Sequence, residues 1–118
     1  MAVMLSHRFG GSGVLIVRLH EGLDVGSRAA AISEFESLLR GYRPRNVVME
    51  LPSSAGAAAV STVLRAERLC RGTGASLAVV ACHPSEAQSV LRSQGLHVYG
   101  TTPEALQSVA SDHDAAAA

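Results

Sequence analysis

The sequence predicts a single α/β domain with a mixed, mostly parallel sheet of four to five strands and about four helices, in the order β-β-α-β-α-β-α-β-α. Short runs rich in β-branched residues alternate with stretches that place apolar residues at helical spacing, which is typical of strands joined by crossover helices. The chain has 118 residues, of which 47% are hydrophobic, so it can bury one core. Because it has no Trp and few other aromatic residues, that core must consist mainly of Ala, Val, Leu and Ile.

The first half of the chain contains a clear strand and a clear helix. The run "VLIVRL", Val14–Leu19, predicts a strand, and the glycines of "GGSG", Gly10–Gly13, predict a turn from a shorter strand before it. From Ser27 the apolar residues change to helical spacing. Gly41 and Pro44 are the expected end of that helix.

The second half continues the alternation. The apolar run "NVVMEL", from Asn46, predicts a strand buried on both faces. The helix that follows is expected to end at Gly72 and Gly74, and "SLAVVAC", from Ser76, predicts another buried strand.

The last elements carry their own start and stop signals. Ser85 and Gln88 have the spacing of a capping box, and Gly95 predicts the C-terminal cap of the same helix. "LHVY" is a short strand, and Thr102 opens the final helix. We expect one domain over residues 1–111 and a frayed tail over 112–118.

Composition narrows the function classes. The ten basic residues are balanced by ten acidic ones, so no overall charge favours nucleic acid or an anionic membrane. Cys70 and Cys82 both lie in apolar patterns, which predicts buried free thiols rather than a disulfide or a redox motif. The N-terminus has no basic leader before a long apolar run, and no apolar run is long enough to span a bilayer, so we expect a cytoplasmic protein.

No catalytic or metal-binding set is evident. "GGSG" leads into a strand rather than a helix, which favours a hairpin turn over a phosphate loop. "SSAG", Ser53–Gly56, lacks the lysine of a P-loop and the flanking glycines of a nucleophile turn. His83 beside Cys82 is the closest candidate pair of metal ligands, but neighbours at a strand end point to opposite faces. Asp24, just before the first helix, is either a functional acid or a carboxylate stabilised by the helix dipole. We therefore expect no enzyme activity and no cofactor.

The order of these motifs resembles the STAS domain, the family of anti-sigma factor antagonists. "LHEGLD", Leu19–Asp24, is similar to the Leu-x-Gly-x-Leu-Asp pattern at the end of the family's first long strand, with the glycine displaced by one position. Glu50-Leu51 stands where the family has Asp-Leu. "RGTGASLAVVA" and "LRSQGLHVYGTTPEAL" match the family's glycine turn into the next strand and its closing elements, so the resemblance covers nearly the whole chain.

The resemblance implies a binding module without catalytic activity. In the family, a serine or threonine of an Asp-Ser-x-Gly stretch lies at the N-terminus of the second helix, and an anti-sigma factor with kinase activity phosphorylates it. The added phosphate carries about −1.5 to −2 charges, which abolishes docking of the partner at this corner of the domain, the N-terminus of the second helix. The implied partner is therefore an anti-sigma factor or a related ATP-binding kinase protein, and a homodimer is left open.

This sequence departs from the family at that corner. An alignment anchored on the helix, through Arg65 and Gly74, places Gly56 at the family's aspartate and Ala57 at its acceptor serine. A second alignment makes Ser54 the acceptor, but it requires the second helix to be about one turn longer. We favour the first, because shifting a packed helix would rotate its apolar face away from the core.

The predicted partner-binding residues are Asp24, Ser53, Ser54, Ala57, Ala58 and Ser61. For the serines the plainer expectation is a capping or loop role, with Ser54 as the one phosphorylation candidate. The alternative function is that of a STAS-like accessory subunit of an ABC-type lipid transport complex, in which the same helix face would dock on the ATPase. A weaker third reading is small-ligand or nucleotide binding at the start of the second helix.

Overall fold

A computed structural model describes residues 5–10, 13–82 and 86–117, with side chains described as far as residue 110. Five strands and four helices follow one another in the predicted order. They are β1 (Leu5–Gly10), β2 (Val14–Leu19), α1 (Arg28–Tyr42), β3 (Asn46–Glu50), α2 (Ala57–Thr73), β4 (Ser76–Val80), α3 (Glu86–Ser93), β5 (His97–Tyr99) and α4 (Thr102–Ala117). The fold class predicted from the sequence is confirmed.

The strands form one sheet in the order β1-β2-β3-β4-β5. β1 is antiparallel to β2, and the remaining neighbours are parallel. Gly13, with φ of 77°, lies in the turn between β1 and β2, a conformation in which a side chain would be strained. Residues 11 and 12 of the predicted "GGSG" turn lie outside the described part of the chain.

The two faces of the sheet are covered unequally. The larger core cluster joins one face to α1, α2 and α3, and Phe35 and Leu39 of α1 are almost fully buried in it. The smaller cluster joins the opposite face to α4 through Ala105. Val47, Val48 and Met49 of β3 have no exposed surface, which confirms that this strand is buried on both faces.

The described ends of α1, α2 and α3 follow the sequence signals. Gly74 and Gly95 take positive φ, at the end of α2 and just past the end of α3, as expected. α1 ends at Tyr42, between Gly41 and Pro44 as expected, although the left-handed cap is Arg43 and not the glycine. Ser85, half of the predicted capping box, lies outside the described residues.

α4 begins at Thr102, the residue predicted to open it, and runs to Ala117. The hydroxyl oxygen of Thr101 accepts the N–H of Glu104 at 3.4 Å, so Thr101 caps the helix that Thr102 opens. No helix in the described part of the chain is both long and apolar enough to cross a membrane.

The cysteines differ from each other. Cys70 on α2 is buried, and its burial, with a smaller contribution from the nearby Glu67 carboxylate, raises the pKa of its thiol to about 12. Cys82, just after β4, is exposed, so the expectation that both thiols are buried is wrong for Cys82. The apolar strand ends at Val80 and leaves Cys82 in the following loop. Both thiols are free, as predicted.

Candidate protein-docking site

The predicted corner lies between β3 and α2. Leu51 and Pro52 are buried, and the N–H of Ala55 donates to the carbonyl of Pro52 at 3.1 Å, which closes a turn. Gly56 then adopts an extended conformation as the N-cap, and α2 begins at Ala57. A tight turn therefore precedes the helix and leaves no room for an earlier start.

The serines of this corner do not cap the helix. Ser53 and Ser54 are exposed in the turn, and the Gly56 N-cap makes no side-chain hydrogen bond. Ser61 lies inside α2, where its hydroxyl accepts a hydrogen bond from Arg28. The expected capping or loop role holds for Ser53 and Ser54, which lie in the turn, and is wrong for Ser61, which lies within α2.

The start of α2 is consequently bare. Glycine supplies no capping oxygen, and the first turn, Ala57 to Ala59, has no acidic residue. The first N–H groups of a helix have no partners within it and carry the positive end of the helix dipole. Ala57 is exposed and Ala58 is half-buried, so small side chains leave this end of the helix open to another molecule.

An open groove of about 350 Å³ lies beside the same helix start. Its walls are the first turns of α2 and α3, and Val60 and Val90 supply apolar surface on the two sides. Val90 is 37% exposed although it is a large hydrophobic residue. The groove is lined by Ala55, Gly56, Ala57, Val60, Ser61, Leu64, Glu86, Ala87 and Val90. We call this surface the docking corner, together with Ser53, Ser54 and Ala58.

The structure brings some of the predicted binding residues together and leaves others apart. Ala57 and Ser61 line the groove, and Ser53, Ser54 and Ala58 adjoin it in the chain. Asp24 is not part of the lining. Sequence reasoning missed the contribution of α3, because nothing in a local pattern shows which two helices lie side by side.

Arg28 is a further residue that sequence reasoning missed. It is the first residue of α1, and its guanidinium donates to the Ser61 hydroxyl at 2.9 Å. This bond joins the start of α1 to the second turn of α2 and places a positive charge next to the groove. The two residues are far apart in sequence, so no short motif could have indicated the pairing.

Asp24 has a local partner instead. Its carboxylate accepts the N–H of Ser27 at 2.8 Å and the Ser27 hydroxyl at 3.0 Å, and the Ser27 hydroxyl accepts the N–H of Asp24 at 2.9 Å. The backbone hydrogen bond from Ser27 is the main cause that lowers the pKa of Asp24. This reciprocal pair fixes the turn before α1, which fits the structural reading of Asp24 better than that of a reactive acid.

Glu50, at the end of β3, joins three elements. Both of its carboxylate oxygens accept from Arg8 of β1 at 3.1 Å, and the hydroxyl of Thr102 on α4 donates to the same carboxylate. The Arg8 hydrogen bonds are the main cause that lowers the pKa of Glu50. The carboxylate is thus held ionised and fully bonded, which suits a structural clamp and not a general acid.

This clamp makes a pH-dependent prediction. Because the folded-state pKa of Glu50 lies below its ordinary value of 4.5, its stabilisation is present above that value and is lost as the pH falls through the folded-state pKa. We expect Glu50→Gln to lower the free energy of unfolding by about 1 kcal/mol at pH 7, a modest figure because Arg8 is half exposed. Urea unfolding should show the difference shrinking below about pH 4.5.

The exposed Glu21, in the turn after β2, offers a control for the same titration. Glu21→Gln should change the unfolding free energy by less than about 0.5 kcal/mol at either pH. A Glu50→Gln deficit that stays constant from pH 7 to pH 3 would show that the ionised carboxylate is not what the clamp requires.

The described residues of the docking corner carry few ionisable groups. Among the described residues that line the groove, Glu86 is the one ionisable side chain. Within residues 5–10, 13–82 and 86–117, no group of three or more His, Cys, Asp or Glu side chains is placed to hold a metal ion. His83 of the candidate His–Cys pair lies outside these ranges.

The fold and the groove define a small α/β domain with an open, mostly apolar recess beside an uncapped helix start. A solved structure with the same architecture is an NMR structure of the protein TM1081, with a TM-score of 0.61 and 18% sequence identity, covering 91% of this chain and 89% of that chain. No protein-family profile matches the sequence, and no curated protein matches it. The structural likeness supports the fold.

Proposed function

We propose that this chain is a non-catalytic, cytoplasmic protein-binding module of the anti-sigma factor antagonist kind, whose docking corner binds an ATP-binding anti-sigma factor. The observation that carries the proposal is the coincidence of the bare α2 start with the groove between α2 and α3. An apolar recess with a few polar groups at its rim favours recognition of a partner side chain. The resemblance in motif order implies a partner contact at the same corner, which supports the proposal.

The position of Ala57 supports the alignment anchored on the helix. Ala57 is the first residue of α2, whereas Ser54 lies in the turn before the N-cap. The family's acceptor is at the start of this helix, and alanine has no oxygen to receive a phosphoryl group. We infer that docking here is not switched off by phosphorylation of the usual acceptor.

Phosphorylation can be tested directly by intact-mass measurement. The chain is incubated with ATP and the anti-sigma kinase that it binds, and we expect no added phosphate on the native sequence. Ala57→Ser restores an oxygen at the helix start, which can take the γ-phosphoryl group of ATP with release of ADP and a proton. A phosphate on the native chain at Ser54 would contradict the inference and revive the alternative alignment.

The partner class can be tested by affinity capture from the source organism, followed by mass spectrometry. We expect an ATP-binding protein of the kinase-like anti-sigma type, retained by the native chain and lost with a variant altered at the groove. Capture of an ABC-type ATPase in its place would favour the alternative role in a lipid transport complex. Failure to capture either protein would contradict the proposal.

A further inference from the structure

Within the described sheet, the outer edge of β1 is a second surface that the proposed function does not use. β1 is an outer strand of the described sheet. The N–H of Leu5 donates to the Glu34 carboxylate at 3.1 Å, so this N–H points away from β2. Alternation along an antiparallel ladder then directs the N–H and C=O groups of His7 and Phe9 outward as well. Among these outward-pointing groups, the N–H of Leu5 is already hydrogen-bonded to the Glu34 carboxylate.

Exposed aromatic rings lie beside this edge. Phe9 and Tyr42 are each 50% exposed, and their rings meet edge to face with centroids 4.7 Å apart. The His7 ring lies 5.7 Å from that of Tyr42. We call His7, Phe9 and Tyr42 the aromatic edge. Unpaired strand backbone next to exposed apolar rings is the usual template for addition of another strand.

We propose that the aromatic edge binds a second copy of this chain by antiparallel pairing of the two β1 strands about a two-fold axis at His7. In that register Leu5 faces Phe9 of the other copy, Ser6 faces Arg8, and His7 faces its own symmetry mate. Phe9 therefore stands opposite an apolar residue, although Leu5 itself is buried in the core of its own copy, and no two arginines are opposed. A two-fold axis at Arg8 would instead place two guanidinium groups against each other, which is destabilising.

The same register is compatible with the existing contacts of β1. The His7 pair contributes two hydrogen bonds, and the N–H of each Phe9 reaches the C=O of Leu5 in the other copy for two more. The bond from Leu5 to Glu34 is left intact. Arg8 stays on the opposite face of the strand, where Glu50 already neutralises it. The pairing is short, so we expect a weak dimer in a concentration-dependent equilibrium.

Charge reversal at the symmetry axis tests the proposal. Opposed residues in a hydrogen-bonded pair are about 5.5 Å apart, so two like charges at position 7 repel each other. Sedimentation equilibrium from about 10 µM to about 1 mM should show dimerisation of the native chain. His7→Glu and His7→Arg alone should each weaken it at least about tenfold, and an equimolar mixture of the two should restore it.

The chain offers matched controls. His97 is exposed on β5, the other outer strand, and His97→Glu and His97→Arg should leave the dimer unchanged. Ala57→Glu at the docking corner should also dimerise normally, which separates this inference from the proposed function. Circular dichroism melts confirm that each variant folds.

Four outcomes would overturn the dimer. They are a native chain that remains monomeric at about 1 mM, single His7 variants that dimerise as well as the native chain, a mixture that fails to restore the dimer, and loss of the dimer in the His97 variants. A monomer that instead adds an extended peptide of another protein along β1 would also assign the aromatic edge to a different occupant.

Discussion

Replacing Phe35 with alanine is expected to lower the free energy of unfolding by about 3 to 5 kcal/mol. Phe35 is 1% exposed and belongs to the larger core cluster, between α1 and the sheet. The chain has two Phe and no Trp, so the neighbours of Phe35 in this cluster are mostly small or aliphatic residues such as Ala31. These side chains cannot fill the cavity that the lost ring would leave. A domain of this size is stable by about 5 to 15 kcal/mol, so the loss is a large fraction of the total.

Urea denaturation followed by circular dichroism measures this effect. Ser37→Ala is a matched control, because Ser37 is exposed on the same helix and its loss should change the unfolding free energy by less than about 0.5 kcal/mol. A Phe35→Ala loss below about 1.5 kcal/mol would mean that the cavity closes readily and that the packing of α1 on the sheet is looser than described.

The second large effect is expected at the docking corner. Ala57→Glu places a negative charge and a longer side chain at the rim of the groove, and we expect it to weaken partner binding by about 10- to 100-fold. The fold should be unharmed, because a carboxylate in the first turn of a helix interacts favourably with its dipole. Isothermal titration with the captured partner measures the change in Kd, and a thermal melt measures stability.

Ala110→Glu is the matched control for this substitution. Ala110 is exposed on α4, which packs on the opposite face of the sheet from α2. This variant should bind the partner as the native chain does. If Ala57→Glu also binds with unchanged Kd, the start of α2 is not part of the interface and the docking corner is wrongly placed.

Local patterns predicted most of the fold. β2 was predicted with the bounds that the structure has, because its β-branched run lies between turn-forming residues. Gly74 and Gly95 were correctly placed at helix ends because positive φ is a local requirement that glycine meets. Gly41 is also a glycine near a helix end, but it lies one residue before the last helical residue of α1. Arg43 takes the left-handed conformation there instead. A glycine therefore indicates roughly where a helix ends, and packing determines which residue is the last one in the helix.

The site was less predictable than the fold because its contacts are long-range. The corner from Ser53 to Ser61 is predicted from the family resemblance, at the short loop of small residues that follows a buried strand. The clamp of Arg8 on Glu50 and the bond from Arg28 to Ser61 depend on the placement of whole elements. The α3 wall of the groove depends on how that helix packs beside α2. These relations follow from tertiary structure and have no counterpart in residue spacing.

Amide hydrogen exchange of the chain, alone and with its captured partner, tests the location of the docking corner most directly. The first N–H groups of α2 have no partner within the helix, so in the free chain they should exchange rapidly. In the complex we expect slower exchange over residues 53–64 and at the start of α3, and unchanged exchange along β1 and β5. Slower exchange at a sheet edge, with residues 53–64 unaffected, would contradict the proposed docking corner.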